Sequence, residues 1–169
     1  MRHITPGRNR RAIIPAAYLS PSSIREVIEF RQVVEGKTAQ RAALRATDND
    51  LLQLEEILSA MEKWKHDPQR FAKEDLTFHL YLAKITQNSL LVETLNIIRS
   101  LLSQAMYYTI LHRGHSQGLT DHRLMINSIA KRDGAATMRI MEKHISEAYQ
   151  TMEQWILQNA AADSNQEPS

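Results

Sequence analysis

The chain has 169 residues, a length suited to one domain, with a net charge of +2 and 43% hydrophobic residues. It contains no cysteine, which excludes a disulfide scaffold, thiolate zinc fingers, iron–sulfur ligation and a cysteine nucleophile. No uncharged stretch approaches the roughly 18 apolar residues of a membrane span, and the N-terminus lacks the apolar run of a secretory signal; a cytoplasmic location with no membrane partner is expected.

The charge is unevenly placed. Arg2, Arg8, Arg10 and Arg11 all precede the first acid, Glu26, and without them the chain is slightly acidic. Residues 1–20 carry two prolines and no periodic pattern, and they read as a basic arm or a linker remnant. From there the apolar spacing is three to four residues, which predicts helices throughout. The first spans about Pro21 to Ala46, with Ser20 ahead of a proline at the first helical position. Its stripe reads Ile24, Val27, Ile28, Val34 and Leu44. The second starts after Thr47, has Asp50 in its first turn, and carries Leu51, Leu54, Ile57, Leu58 and Met61. The third has Asp67 as N-cap and Pro68 behind it, then Phe71, Phe78, Leu82 and Ile85. Asn88-Ser89 breaks the chain, and a fourth helix runs through Leu91, Leu95, Ile98 and Leu102 to Tyr108. A loop with Gly114 and Gly118 follows, and the fifth helix holds Leu124, Met125, Ile126 and Ile129. Asp133 caps the last, from Gly134 to about Leu157, and residues 159–169 read as a disordered polar tail. The expected fold is an all-α antiparallel bundle of six (or seven) helices over residues 21–158.

Seven histidines are many for this length. His3, His66, His112 and His115 fall in the arm, in loops or at helix ends. The other three lie on apolar stripes, where an ionisable side chain is informative. His79 shares a face with Phe71, Asp75, Phe78, Leu82 and Ile85, so Asp75 and His79 stand at i,i+4. His122 falls in step with Met125, Ile126 and Ile129, and His144 with Met141, Ile145, Ala148 and Met152. Desolvating four such groups is costly unless they are paired or coordinated. One divalent cation satisfies all four, and three imidazoles with one carboxylate suit Zn²⁺, Ni²⁺, Mn²⁺ or Fe²⁺. Octahedral coordination leaves two positions open. An Asp–His hydrogen bond beside unrelated core histidines is the competing reading, because periodicity does not bring helices together.

The segments Asp75-Leu76-Thr77-Phe78-His79, Asn88-Ser89-Leu90-Leu91, Asp121-His122-Arg123 and Lys143-His144 come in an order and spacing that resemble a known family. It is the effector-binding FCD domain of the FadR subfamily of GntR transcription regulators. Glu29-Phe30-Arg31-Gln32-Val33-Val34-Glu35 resembles the family's opening helix, and Ala42-Ala43 with Arg45-Ala46-Thr47-Asp48 resembles its end. Gly36, Asp121 and Ser89 depart mildly from the family's usual Pro, Glu and Pro.

The resemblance implies a helical bundle, paired as a homodimer, in which Asp75, His79, His122 and His144 hold a divalent metal, Zn²⁺ first among the choices. It implies a small organic acid as effector and no enzymatic activity. Arg31 matches an arginine that often lines the family's effector pocket, and a guanidinium suits bidentate carboxylate binding. A salt bridge from Arg31 to Glu35 on a solvated face is the alternative. Asn88 is a further effector candidate, with helix capping as its alternative. Family members read DNA through a winged helix-turn-helix of roughly 70 residues, too large for the residues ahead of the first helix here. The expectation is therefore a sensor half that contacts DNA only through that missing domain. Two other function classes remain: a stand-alone metal-dependent enzyme acting on a small carboxylate, and a metal-free helical interaction module.

Overall fold

The computed structural model describes residues 21–164. The expected arm over residues 1–20 and the end of the tail, residues 165–169, lie outside the described residues, as do the side chains of Ile24 and Met152. The described residues form seven helices and no strand: α1 (Pro21–Arg45), α2 (Asp48–Lys63), α3 (Pro68–Ile85), α4 (Ser89–Ile97), α5 (Arg99–Arg113), α6 (Ser116–Ala130) and α7 (Gly134–Ser164).

The starts follow the local chemistry. Thr47 and Asp50 form a reciprocal cap at α2, in which the Asp50 carboxylate accepts from the Thr47 N–H at 2.8 Å. Asp67 accepts from the Arg70 N–H at 3.0 Å, and Pro68 opens α3. Asn88 caps α4, and Asp133 accepts from the Ala136 N–H in the first turn of α7 at 2.9 Å.

Four details differ from the sequence reading. The expected fourth helix is two, α4 and α5, parted at Ile98 with φ −92° and ψ 7°. The bend lets α4 lie on α3 while α5 packs on both α3 and α7. Gly118 belongs to the first turn of α6 rather than to the loop. Helix α7 continues past Leu157 to Ser164, through Ala160, Ala161 and Ala162, the strongest helix-forming residue type. Finally, Leu44 and Leu124 sit on outer faces, 59% and 47% exposed, instead of in the core.

Leu54, Leu58, Met61, Phe71, Phe78, Leu82, Met125 and Met141 are fully buried and fill the centre of the bundle. Helix α1 contributes differently. Its inner face is Ile28, Arg31, Glu35, Thr38, Ala39, Ala42 and Ala43, mostly small or polar, and it lies along α7. The approach is close: a Cβ at Gly134 would stand 2.9 Å from the Gln40 carbonyl oxygen, and one at Gly36 would stand 3.0 Å from Glu142 Cγ. No helix among the described residues is long and apolar enough to cross a membrane.

Candidate metal centre

Asp75 and His79 stand one turn apart on the inner face of α3, His122 projects from α6 and His144 from α7. All four are buried, and each offers one ligand atom such that the four atoms lie within 4.8 Å of one another. Asp75 Oδ1 is 3.2 Å from His122 Nε2 and 3.8 Å from His79 Nε2. The ring centroids of His79 and His122 are 5.5 Å apart, and those of His122 and His144 are 4.9 Å apart. The Phe78 ring stands edge-on against His122 at 4.3 Å and walls the cluster on one side. The four residues picked out by periodicity are thus brought together.

The donor set fits a divalent metal. Both ring nitrogens of His79 and of His122 are buried without a hydrogen-bond partner, a costly arrangement in a protein interior. Ligand atoms about 2.0–2.2 Å from one cation stand roughly 3–4 Å from each other, and the separations of Asp75 from His122 and His79, 3.2 and 3.8 Å, fall in that range. Burial, and then the neighbouring rings of His144 and His79, hold His122 well below the ordinary histidine value, so it is neutral, the form in which imidazole ligates.

Two carboxylates back the histidines. Glu35 Oε2 lies 2.5 Å from His79 Nδ1. Asp121 Oδ2 lies 3.2 Å from His144 Nδ1, and its other oxygen accepts from the Gln117 amide at 2.8 Å. In both pairs the carboxylate faces Nδ1 and leaves Nε2 to a metal, the usual support for a ligating histidine. Burial alone would raise the Glu35 carboxyl, but Arg31 and His79 together hold it far below the usual carboxylate range. Burial likewise opposes ionisation of Asp121, and the bonds from His144 and Gln117 prevail and lower it. The sequence reading assigned neither carboxylate a place at the cluster. The signal for Glu35 was its spacing, since it falls in step with Ile28, Arg31, Thr38 and Ala42, a face that reads as too polar to be internal.

The salt bridge from Arg31 to Glu35, the alternative to an effector role, is present, with Nε 2.7 Å from Oε1, but its face is buried rather than solvated. Burial alone would lower the Arg31 value, and the Glu35 charge and hydrogen bond outweigh that and raise it. Arg31 also lines a small cavity of about 30 Å³, together with Asp75, His144, Thr109 and Arg113. The cavity therefore opens directly onto the cluster. Asn88 is elsewhere: its Oδ1 accepts from the Leu90 N–H at 3.0 Å as the α4 cap, and it does not line the cavity.

A pH dependence follows for chelator-treated protein. His122 stays neutral in the fold while an unfolded imidazole titrates near 6.5. Below that pH the unfolded chain binds the extra proton, so stability falls with acidification until the depressed folded value is reached. Each pH unit over which His122 stays neutral in the fold but is charged in the unfolded chain costs about 1.4 kcal/mol. Glu35 adds stability that is full above its unfolded value of 4.5 and is lost only as pH falls further, through its folded value. Urea unfolding at pH 7 and 5 checks this, and the difference should shrink in His122→Gln.

The FCD domain family matches residues 26–147. The Uxu operon regulator of Haemophilus influenzae is 29% identical over 126 residues, which cover 71% of this chain and 47% of that protein. The HTH-type transcriptional regulator LutR of Bacillus subtilis is 28% identical over 137 residues, covering 78% of this chain and 63% of that one. Among solved structures, Streptococcus agalactiae GntR superposes with a TM-score of 0.65 at 25% identity, over 78% of this chain and 60% of its own. The chain spans between 47% and 63% of the length of these three proteins. With the family match covering most of α1, all of α2 to α6 and the start of α7 through His144, the chain belongs to the FCD domain family.

Proposed function

We propose that this chain is the ligand-sensing and dimerisation domain of a GntR-type transcription regulator of the cytoplasm, and that it binds a small organic acid at a divalent metal held by Asp75, His79, His122 and His144. The observation that carries the reading is the buried Asp/His cluster opening onto a cavity that Arg31 also lines. The metal, when bound, supplies open coordination positions for a carboxylate oxygen. Arg31 presents a planar guanidinium to the same ligand and orients it. Asp121 and Glu35 hold the His144 and His79 rings toward the metal side. Ligand binding biases one arrangement of the helices, and that bias passes to a winged helix-turn-helix domain that contacts DNA. The names of the relatives, all of them regulators, favour this role over an enzyme.

The test combines elemental analysis with thermal melting. Chain purified in Zn²⁺ and desalted should retain close to one metal. Among small hydroxy acids, sugar acids and dicarboxylates, at least one should raise the melting temperature of the metal-loaded chain but not of Arg31→Ala. Retention below about 0.2 metal per chain would sink the metal reading.

A further inference from the structure

Glu35 stands between the two parts of the site. Its Oε1 accepts from Arg31 Nε at 2.7 Å, while its Oε2 lies 2.5 Å from His79 Nδ1. All three side chains are buried, at 4%, 2% and 1% exposure, so bulk solvent screens the contacts little. Arg31 lines the cavity, and His79 is a member of the cluster. One carboxylate charge is thus shared between an anion-binding group, Arg31 on α1 one turn before Glu35, and a metal-binding group, His79 on α3.

We infer that Glu35 is a positioning residue that couples the cavity to the metal: Arg31 and His79 compete for its charge, so what engages Arg31 sets how strongly His79 binds the cation. A carboxylate at Nδ1 fixes the tautomer that leaves Nε2 as donor and makes that nitrogen more basic. Arg31 draws the same charge the other way. An anion in the cavity that takes up the guanidinium frees Glu35 for His79, and metal affinity rises. Thermodynamic reciprocity then requires the metal to raise the affinity for the anion by the same factor. The pair is a device for making the two ligands bind together.

The inference rests on the metal reading above and is tested with Zn²⁺ alone, by competition with a chromophoric chelator on the folded chain. Glu35→Gln should weaken Zn²⁺ binding about 10–100-fold, the usual effect of losing an outer-shell partner. Arg31→Gln should tighten it by about fivefold or more, within the common range of coupling between sites. A merely structural role for the pair would weaken binding in both variants. The tightening should vanish when Arg31→Gln is made in the Glu35→Gln background, because the effect passes through Glu35. The single Glu35→Gln variant leaves Arg31 buried without its partner, so its folding is at risk. The double variant has no such orphan, and its Zn²⁺ affinity should still lie about 10–100-fold below wild type. Affinity within about twofold of wild type in the double variant, or an equal Arg31→Gln effect in both backgrounds, overturns the inference. If wild type binds no Zn²⁺, the metal reading fails; if wild type binds and Glu35→Gln is unchanged, only the coupling fails.

Discussion

Replacing His122 with alanine is expected to remove tight Zn²⁺ binding and, with it, the thermal stabilisation that the metal confers. His122 is completely buried at the centre of the cluster, 3.2 Å from Asp75 and in ring contact with Phe78 and His144. It is a direct ligand in the proposed site, so its loss should exceed the roughly 10–100-fold effect of an outer-shell change. Metal at about a thousand times its dissociation constant stabilises the folded state by about 4 kcal/mol. For a chain of this size that corresponds to a rise of about 8–16 °C in melting temperature. Wild type should show such a shift between chelator and Zn²⁺, and His122→Ala should show almost none. Comparing the metal-induced shift, rather than the absolute temperature, separates the lost ligand from any packing defect. An equal shift in both proteins would mean that the site is wrongly assigned.

Phe78→Ala should have the largest effect on the fold itself. The ring is wholly buried on α3, one position before His79 and edge-on to His122 at 4.3 Å. Removing it loses aromatic burial and leaves a cavity in the middle of the bundle, at about 3–5 kcal/mol. The melting temperature should drop by roughly 6–20 °C. The urea midpoint should fall while the slope stays constant, since the surface exposed on unfolding changes little. Because the ring also fixes the His122 imidazole, Zn²⁺ binding should loosen in the protein that remains folded. A loss under about 1 kcal/mol would show that the site collapses around the gap.

Much of this molecule is written in short-range signals. Thr47 with Asp50, Asp67 with Pro68, Asn88 and Asp133 each mark a helix start because a side-chain oxygen must satisfy a free backbone N–H. The metal residues were legible because an imidazole within a run of Met, Ile and Phe breaks a pattern. Helix α1 hid its inner face for the opposite reason. It buries Arg31, Glu35, Thr38 and alanines, while Val33 and Leu44 point outward. An apolar stripe drawn through it finds Ile28 and, at the edge of the core, Val27 and Val34, but it misplaces Leu44 and misses the polar inner face. The bend at Ile98 left no mark, because neither Gly nor Pro causes it; tertiary packing of α4 and α5 does. The outer carboxylates were missed for a related cause. Glu35 and Asp121 face histidines on other helices, a relation that no spacing within one helix encodes.

The seating of α1 has a mechanical consequence. Its C-terminal end is pinned: Ala42, Ala43 and Ala46 are fully buried, Gln40 meets Gly134, and Arg45 donates to the Thr86 carbonyl that ends α3. From that fulcrum Arg31 lies about 21 Å along the axis and Pro21 about 36 Å. A sideways shift of about 1 Å at Arg31 therefore becomes about 1.7 Å at the start of the helix. The helix is a lever, loaded near its middle by the cavity, with its long arm leading to the chain that precedes it.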